Sequence, residues 1–228
     1  MKKLALVLLV ALCLASPAWA GWKEGVAAYR HGDYATALRE FRPLAEQGYP
    51  YAQYLLGLMY YKAQGVPQDY KQTLYWFRKA AYQGYPYAQY DLGVMYSQGR
   101  GVPKDYKQAL YWWRKAAIQG YVDAQHGLAL MYFHGRGVPK DYKQAAYWWR
   151  KAAEQGDALA QNNLGMMYYK GYGVPQDYVK AYMWAELAMA RRPEEARTKK
   201  LRDKIAAQMT PQQIAEAQRL AKEWKPER

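Results

Sequence analysis

Apolar residues recur at helical intervals along most of the chain, and short turn-forming segments interrupt them at regular distances. In one segment Leu92 and Tyr96 lie on the apolar face of a helix, which ends at the Gly-Arg-Gly-Val-Pro sequence of residues 99–103. Asp105 can then cap a second helix, whose apolar stripe continues until Gly120. The pattern therefore predicts a hairpin of two helices.

This hairpin pattern occurs four times in succession, with one unit every 36 residues and no gaps. The units are residues 49–84, 85–120, 121–156 and 157–192. Residues 21–48 predict a shorter, tetratricopeptide-like hairpin that caps the array, and residues 193–228 predict basic helices that close it. A single hairpin cannot bury its apolar face, so the units must stack. The sequence predicts an all-α solenoid of helix hairpins with a concave and a convex side.

The recurring residues also carry a family resemblance. In residues 85–120 it rests on Ala88, Leu92, Gly93, Tyr96, Gly99, Gly101, Val102, Asp105, Lys107, Ala109, Trp112, Lys115, Ala116, Ala117 and Gly120. This pattern resembles the Sel-1-like repeat, a relative of the tetratricopeptide repeat. The resemblance implies a right-handed superhelix that acts as an adaptor in protein complexes and, in some exported members, contacts host cells. Departures at Ala63, Thr73, Ala129, Val179 and Leu187 indicate degenerate units rather than another fold.

By resemblance, the first helix of each hairpin lines the concave side and supplies the partner-binding positions. The predicted positions are Tyr51, Tyr54, Leu58, Tyr61, Tyr87, Tyr90, Ser97, Asp123, His126, Phe133, Asn162 and Tyr169, together with Val94, Leu130, Leu159 and Met166. Tyrosine offers a flat apolar ring and a hydroxyl group, which is typical of binding hot spots. The same tyrosines could instead complete the packing between neighbouring first helices.

Residues that recur in every unit are predicted to be structural. We expect Leu56, Leu92, Leu128 and Leu164 in the core, together with Tyr60, Tyr96, Tyr132 and Tyr168. The tryptophan pairs at 112–113 and 148–149 could form a ligand cage, but aromatic residues at helical spacing favour packing between repeats. The Gly-Arg-Gly-Val-Pro turn is a weak candidate for phosphate binding, because the strand and the lysine of nucleotide-binding loops are missing.

The N-terminus has the pattern of a cleavable signal peptide in residues 1–20. Lys2 and Lys3 precede an apolar run, and small residues before Gly21 suit signal peptidase. We therefore expect a periplasmic or secreted protein. Lipidation at Cys13 is a weaker alternative, because Leu12 replaces the small residue that such a signal needs. Cleavage would remove this single cysteine, so the mature chain would form no disulfide.

A formal charge of +14 favours acidic partners. The basic residues that recur on the second helices are Lys104, Lys107, Arg114, Lys115, Lys140, Lys143, Arg150 and Lys151, which we expect on the convex side as a solvated surface. The basic residues near Lys199 and Lys204 could touch an anionic membrane surface. Export argues against nucleic acid as a partner.

Little in the sequence supports catalysis. Some exported, cysteine-rich Sel-1-like proteins are described as β-lactam-binding or β-lactam-hydrolysing, and the resemblance leaves that activity as an alternative. After cleavage Ser97 would be the only serine, and no Ser-x-x-Lys motif accompanies it. The histidines show no zinc-binding spacing. We predict a non-enzymatic scaffold of the cell envelope, without metal or cofactor, that binds a protein, a peptide or a peptidoglycan fragment in its concave groove.

Overall fold

A computed structural model describes residues 17–226, and in this part of the chain all regular secondary structure is helical. The helices are α1 (Pro17–Arg30), α2 (Tyr34–Glu46), α3 (Pro50–Lys62), α4 (Tyr70–Tyr82), α5 (Pro86–Gln98), α6 (Tyr106–Ile118), α7 (Val122–His134), α8 (Tyr142–Glu154), α9 (Ala158–Lys170), α10 (Tyr178–Arg191), α11 (Ala196–Ala206) and α12 (Pro211–Glu223). The all-α class and the repeated helix hairpins of a solenoid are therefore confirmed. Most of the predicted signal peptide, residues 1–16, lies outside the described residues.

The chain divides into two compact units, the first ending at Lys104 and the second beginning at Asp105. In the first unit α1 to α5 pack in chain order, each helix against the next. In the second unit α6 to α10 do the same, and both α11 and α12 pack against α10. Trp224, just after α12, lies 6.0 Å from the ring of Trp184 in α10. Helix α12 also has the predicted capping box between Thr210 and Gln213.

The boundaries of the helices follow from a few recurring residues. Asp69, Asp105, Asp141 and Asp177 each precede a second helix and accept hydrogen bonds from its first backbone N–H groups. The first helices α5, α7 and α9 end at a glycine in the left-handed conformation. In α3 the corresponding residue is Ala63, which adopts the same conformation with φ of 57°. The degenerate first repeat therefore keeps the geometry of the others.

The second glycine of each turn brings the turn against the preceding repeat. Gly137 has φ of 71°, and a Cβ atom there would lie 2.7 Å from the carbonyl oxygen of Tyr106. Gly101 is placed in the same way against Tyr70. The backbone N–H groups of Gly99 and Arg100 both donate to the carbonyl of Met95, at 2.9 and 3.0 Å. Because these donors close the helix end, the turn serves packing and does not offer these groups to phosphate.

The four predicted core leucines are buried, from Leu56 to Leu164. The predicted tyrosines divide: Tyr132 and Tyr168 are buried, whereas Tyr60 and Tyr96 are only partly buried. Tyr96 lies at the edge of the core, where its hydroxyl group accepts a hydrogen bond from Arg78 Nη2 at 2.7 Å. The prediction that all four tyrosines are core residues is therefore wrong for two of them.

Of the two tryptophan pairs, Trp112, Trp148 and Trp149 are buried and Trp113 is partly buried. These side chains pack between helices, as the structural interpretation predicted, and they do not form an open cage. No helix among residues 17–226 combines the length and the apolar character that crossing a membrane requires.

A buried glutamine on each first helix joins consecutive repeats. Gln53, Gln89, Gln125 and Gln161 donate from Nε2 to the carbonyls of Ala45, Ala81, Ala117 and Ala153, at distances of 3.0 to 3.2 Å. Each carbonyl belongs to the end of the preceding helix, where the last backbone acceptors have no partner within the helix. These glutamines recur in all four units, but this role was not predicted from the sequence.

Candidate functional site

A group of aromatic side chains, here called the tyrosine cluster, lies on the first helices of the first unit. It consists of Trp22, Tyr51, Tyr54, Tyr85 and Tyr87. The ring centroids of Trp22 and Tyr51 are 4.9 Å apart, those of Tyr54 and Tyr85 5.2 Å, and those of Tyr85 and Tyr87 5.4 Å. Tyr51 is 43% exposed and Tyr87 is 46% exposed. The cluster is thus a continuous aromatic surface with accessible rings at Tyr51 and Tyr87.

Tyr54 is the fixed part of this cluster. Its ring stacks on the buried Phe77 of α4, with centroids 5.4 Å apart. Its hydroxyl group donates a hydrogen bond to Asp91 Oδ2 at 3.0 Å. Since both ends of the side chain are held, Tyr54 contributes to packing between repeats and also presents one edge to the surface.

A shallow cleft of about 280 Å³ continues from Tyr54 along α3 and α5. The structure brings the predicted residues Tyr54, Leu58, Tyr61 and Val94 together on its walls, with Asp91 beside them. At one end Arg100 donates a hydrogen bond to the hydroxyl group of Tyr61, and its guanidinium carbon lies 5.6 Å from the centre of that ring. The cleft therefore combines apolar walls with the acidic group of Asp91 and the basic group of Lys62, and Arg100 lies beside it on Tyr61.

Two other predicted residues of the first unit contribute less surface. Tyr90 is partly buried. The hydroxyl group of Ser97 donates to the carbonyl of Val94 at 2.9 Å, within its own helix. The hydroxyl group of this candidate serine therefore makes a local contact within its own helix.

In the second unit two of the predicted residues, His126 and Phe133, contact the same buried ring, that of Trp149. Asp123 is exposed in the first turn of α7. His126 Nδ1 lies 3.2 Å from Asp157 Oδ1, and Phe133 packs against Trp149 with ring centroids 5.3 Å apart. Tyr169 has Lys170 Nζ 4.9 Å above its ring. Phe133 also contacts Tyr142, which stacks on Tyr172 with ring centroids 4.8 Å apart, so the second unit has an aromatic series of its own around Trp149.

Asn162 corrects the predicted set. We expected it to face a partner, but its side chain is only 3% exposed. Helix α9, which carries it, contacts α11 in addition to its two neighbours α8 and α10. Its equivalents in the other repeats, including Tyr54 and His126, remain partly exposed.

The pKa values of two candidate-site neighbours are shifted, one in each unit. Burial, together with the neighbouring hydroxyl groups of Tyr51 and Tyr87, raises the pKa of Tyr85. Tyr85 therefore stays neutral at physiological pH and retains its hydroxyl proton. Burial tends to raise the pKa of Asp157 as well, but hydrogen bonds from His126 and from the backbone N–H of Ala160 outweigh it and lower that pKa below the usual value.

Trp22, Tyr85 and Arg100 were not among the site residues predicted from the sequence. Tyr85 is the N-cap residue of α5, one position before the helix, so a selection by helical spacing could not reach it. Trp22 belongs to α1, which lies outside the four repeats, and Arg100 belongs to a turn. A search for aromatic residues just before each first helix would have found Tyr49, Tyr85 and Tyr121.

The described residues offer no group of three or more histidine, cysteine, aspartate or glutamate side chains that could hold a metal ion. What the cleft and the cluster present instead are aromatic faces, hydroxyl groups and isolated charges. Such a surface is suited to contact with another molecule.

The Sel1 repeat model matches residues 50–85, 86–121, 122–157 and 158–190. This chain belongs to the Sel1 repeat family. The matched segments begin one residue after the units that we delimited from the sequence, and they account for most of the chain. Sel1 repeats generally serve as protein-interaction scaffolds and are typically non-enzymatic.

A solved structure of a Sel1 repeat protein shows the same fold. A Sel1 repeat protein from Oxalobacter formigenes is 29% identical, with a TM-score of 0.73, and the match covers 86% of this chain and 83% of that one. The c5321 protein, a protective antigen of uropathogenic Escherichia coli strains, is 28% identical with a TM-score of 0.49, over 92% of this chain and 61% of that one. The cysteine-rich protein B of Helicobacter pylori is 21% identical with a TM-score of 0.43, over 64% of this chain and 96% of that one. A search of curated protein sequences finds no match to this chain.

Proposed function

We propose that this Sel1 repeat protein is a non-enzymatic scaffold of the bacterial cell envelope that binds an extended peptide segment of a partner protein. The observation that carries the proposal is the tyrosine cluster, where exposed rings at Tyr51 and Tyr87 flank the fixed side chain of Tyr54. Placement in the periplasm or outside the cell rests on the signal-peptide pattern of residues 1–20.

The physical basis is the low cost of binding to prearranged aromatic rings. Tyrosine has few rotatable bonds, and those of Tyr54 are already restricted by Phe77 and Asp91. Little conformational entropy is therefore lost when a partner covers the rings. An apolar side chain of the partner would lie on the exposed faces of Tyr51 and Tyr87.

The adjoining cleft provides polar contacts that would give direction to the bound segment. Asp91 can accept hydrogen bonds from the backbone or from a basic side chain of the partner, and Arg100 near Tyr61 can meet a carbonyl or a carboxylate. The cleft has a volume of about 280 Å³ and lies between two neighbouring helices, which suits an extended chain better than a compact small molecule.

The test is site-specific photo-crosslinking in cells. Benzoyl-phenylalanine replaces Tyr87 in the cluster or, as a control, Tyr147, which is similarly exposed on the second helix α8. We expect a discrete crosslinked partner from position 87 and none from position 147. The partner, once identified and purified, should bind the Tyr51→Ala, Tyr87→Ala variant at least about tenfold more weakly than the wild type.

Two results would contradict the proposal. One is the same crosslinked product from both positions, which would indicate contact without a defined site. The other is unchanged affinity of the folded double variant, as verified by circular dichroism, for the purified partner. Capture of peptidoglycan fragments at position 87, with no protein, would replace the peptide by a cell-wall ligand at the same site.

A further inference from the structure

A second cleft lies on the first unit, beside the second helix α4 rather than the first helices. It is a cleft of about 430 Å³, here called the α4 cleft, between α4 and the turn that follows α5. Leu74 and Val102 supply aliphatic surface, and Tyr75 and Tyr82 line it as well. Tyr82 is 73% exposed, which is unusual for so large an aromatic side chain.

The remaining side chains of the α4 cleft are basic. Lys71, Arg78 and Lys79 line it, and all three are exposed. Two of them are held in place by aromatic neighbours: Arg78 Nη2 donates to the hydroxyl group of Tyr96 at 2.7 Å, and Lys79 Nζ lies 4.6 Å from the ring centre of Tyr75. Positive charge is therefore prearranged around apolar surface.

The sequence of α4 contains no aspartate or glutamate to neutralise this charge. Helix α6 repeats the arrangement, with Lys115 Nζ 5.0 Å from the ring centre of Tyr111 and with Ile118, 70% exposed, in the place of Tyr82. The third second helix, α8, departs from it. There Glu154 takes the place of Tyr82, and its carboxylate lies 3.6 Å from Lys151 Nζ.

The α4 cleft differs in its charge from the corresponding surface of α8. On α8 a carboxylate of the chain itself compensates the lysine, whereas on α4 and α6 the same position is a large apolar side chain. An exposed tyrosine or isoleucine beside cations can bury against a partner that also supplies negative charge.

We propose that the α4 cleft binds an acidic peptide segment that places one aromatic or aliphatic side chain between Tyr82, Leu74 and Val102. Carboxylates on either side of that side chain pair with Lys71, Arg78 and Lys79. The recessed apolar surface favours a peptide over a lipid membrane, because a flat headgroup layer would meet the lysines without filling the cleft. The site is independent of the tyrosine cluster, which lies on the first helices.

Fluorescence anisotropy with two labelled peptides tests this site on the full chain. The probe is Glu-Glu-Asp-Phe-Glu-Glu, and its partner has alanine in place of phenylalanine. Because α6 repeats the pattern, the test variant is Tyr82→Glu, Ile118→Glu, which introduces the residue found on α8. The control Gln212→Glu, Gln218→Glu makes the same change of charge at exposed positions of α12.

We expect the phenylalanine peptide to bind the wild type at least about fivefold more tightly than the alanine peptide. The test variant should weaken its binding about tenfold, and the control variant less than about twofold. Lys79→Gln leaves Tyr82 in place and should weaken the binding of both peptides. This variant measures the contribution of the lysine charge without introducing a new carboxylate.

Three outcomes would overturn the proposal. Equal weakening by the test and control variants would mean diffuse attraction to a basic protein. Equal affinity for the two peptides would mean that no apolar side chain enters the cleft. Absence of peptide binding at about millimolar concentration, with or without binding to phosphatidylglycerol vesicles, would exclude an acidic peptide.

Discussion

The hydroxyl group of Tyr54 donates a hydrogen bond to Asp91 Oδ2 at 3.0 Å, and this bond joins the first helices of two consecutive repeats. The ring of the same tyrosine stacks on Phe77 in the helix between them. One side chain therefore links three successive helices and forms part of the proposed binding surface. Its structural and functional contributions can be separated because its hydroxyl group and its ring make different contacts.

Tyr54→Phe removes the hydrogen bond to Asp91 and leaves the stacked ring. We expect a loss of about 1 kcal/mol in the free energy of unfolding, measured with urea, because Asp91 remains partly exposed to water. Tyr54→Ala should cost about 3 kcal/mol, since the contact with Phe77 is lost too. The control Tyr75→Phe changes an exposed tyrosine and should stay within about 0.5 kcal/mol. Equal effects of Tyr54→Phe and Tyr75→Phe would show that the hydrogen bond contributes nothing.

Ala63→Gly should stabilise the protein. Ala63 holds the left-handed position that glycine occupies at the end of α5, α7 and α9, and it does so with φ of 57°. Relief of the contact between Cβ and the backbone should add about 1 kcal/mol to the free energy of unfolding. The reverse change Gly99→Ala is the matched control and should remove a similar amount. Destabilisation by Ala63→Gly would mean that the flexibility of glycine in the unfolded chain outweighs the strain.

Gln125→Met should destabilise the second unit by about 2 kcal/mol. The side chain has a similar length but cannot donate to the buried carbonyl of Ala117, and it also loses the bond between Gln125 Oε1 and Gln155 Nε2. Gln98→Met, at an exposed position, is the control. Thermal unfolding followed by circular dichroism compares the two. If neither substitution lowered the melting temperature, the glutamine would not be needed to join the repeats.

Acid should destabilise the protein partly through Asp157. The pKa of this carboxyl is lowered in the folded state despite burial, so its ionised form contributes stability above its unfolded pKa, near 3.8. That stability is lost as the pH falls through the lower, folded pKa. In Asp157→Asn, the free energy of unfolding should depend less on pH below about pH 4. Asp123→Asn changes an exposed residue and should keep the pH dependence of the wild type. If the free energy of unfolding varied with pH in the same way in the wild type and in Asp157→Asn, the contribution assigned to Asp157 would be contradicted.

Much of the fold could be predicted because its signals are local and repeated. The spacing of Leu92 and Tyr96, the capping aspartate at 105 and the glycine at 120 each depend on residues close in sequence, and the structure shows the helices that they predict. The candidate site was predicted in part. Tyr51, Tyr54 and Tyr87 do form one surface, whereas Asn162 is buried and Tyr85 was overlooked.

By itself, the sequence determined the repeat length, the helix boundaries and the positions of the core leucines, since helical periodicity and capping act within one hairpin. The tertiary structure alone decided which tyrosines stay accessible and which glutamines become buried hydrogen-bond donors. It also decided that Lys71, Arg78 and Tyr82 line the same cleft. These properties depend on the neighbouring repeat, because equivalent residues such as Tyr54 and Asn162 differ in exposure according to the side chains packed beside them.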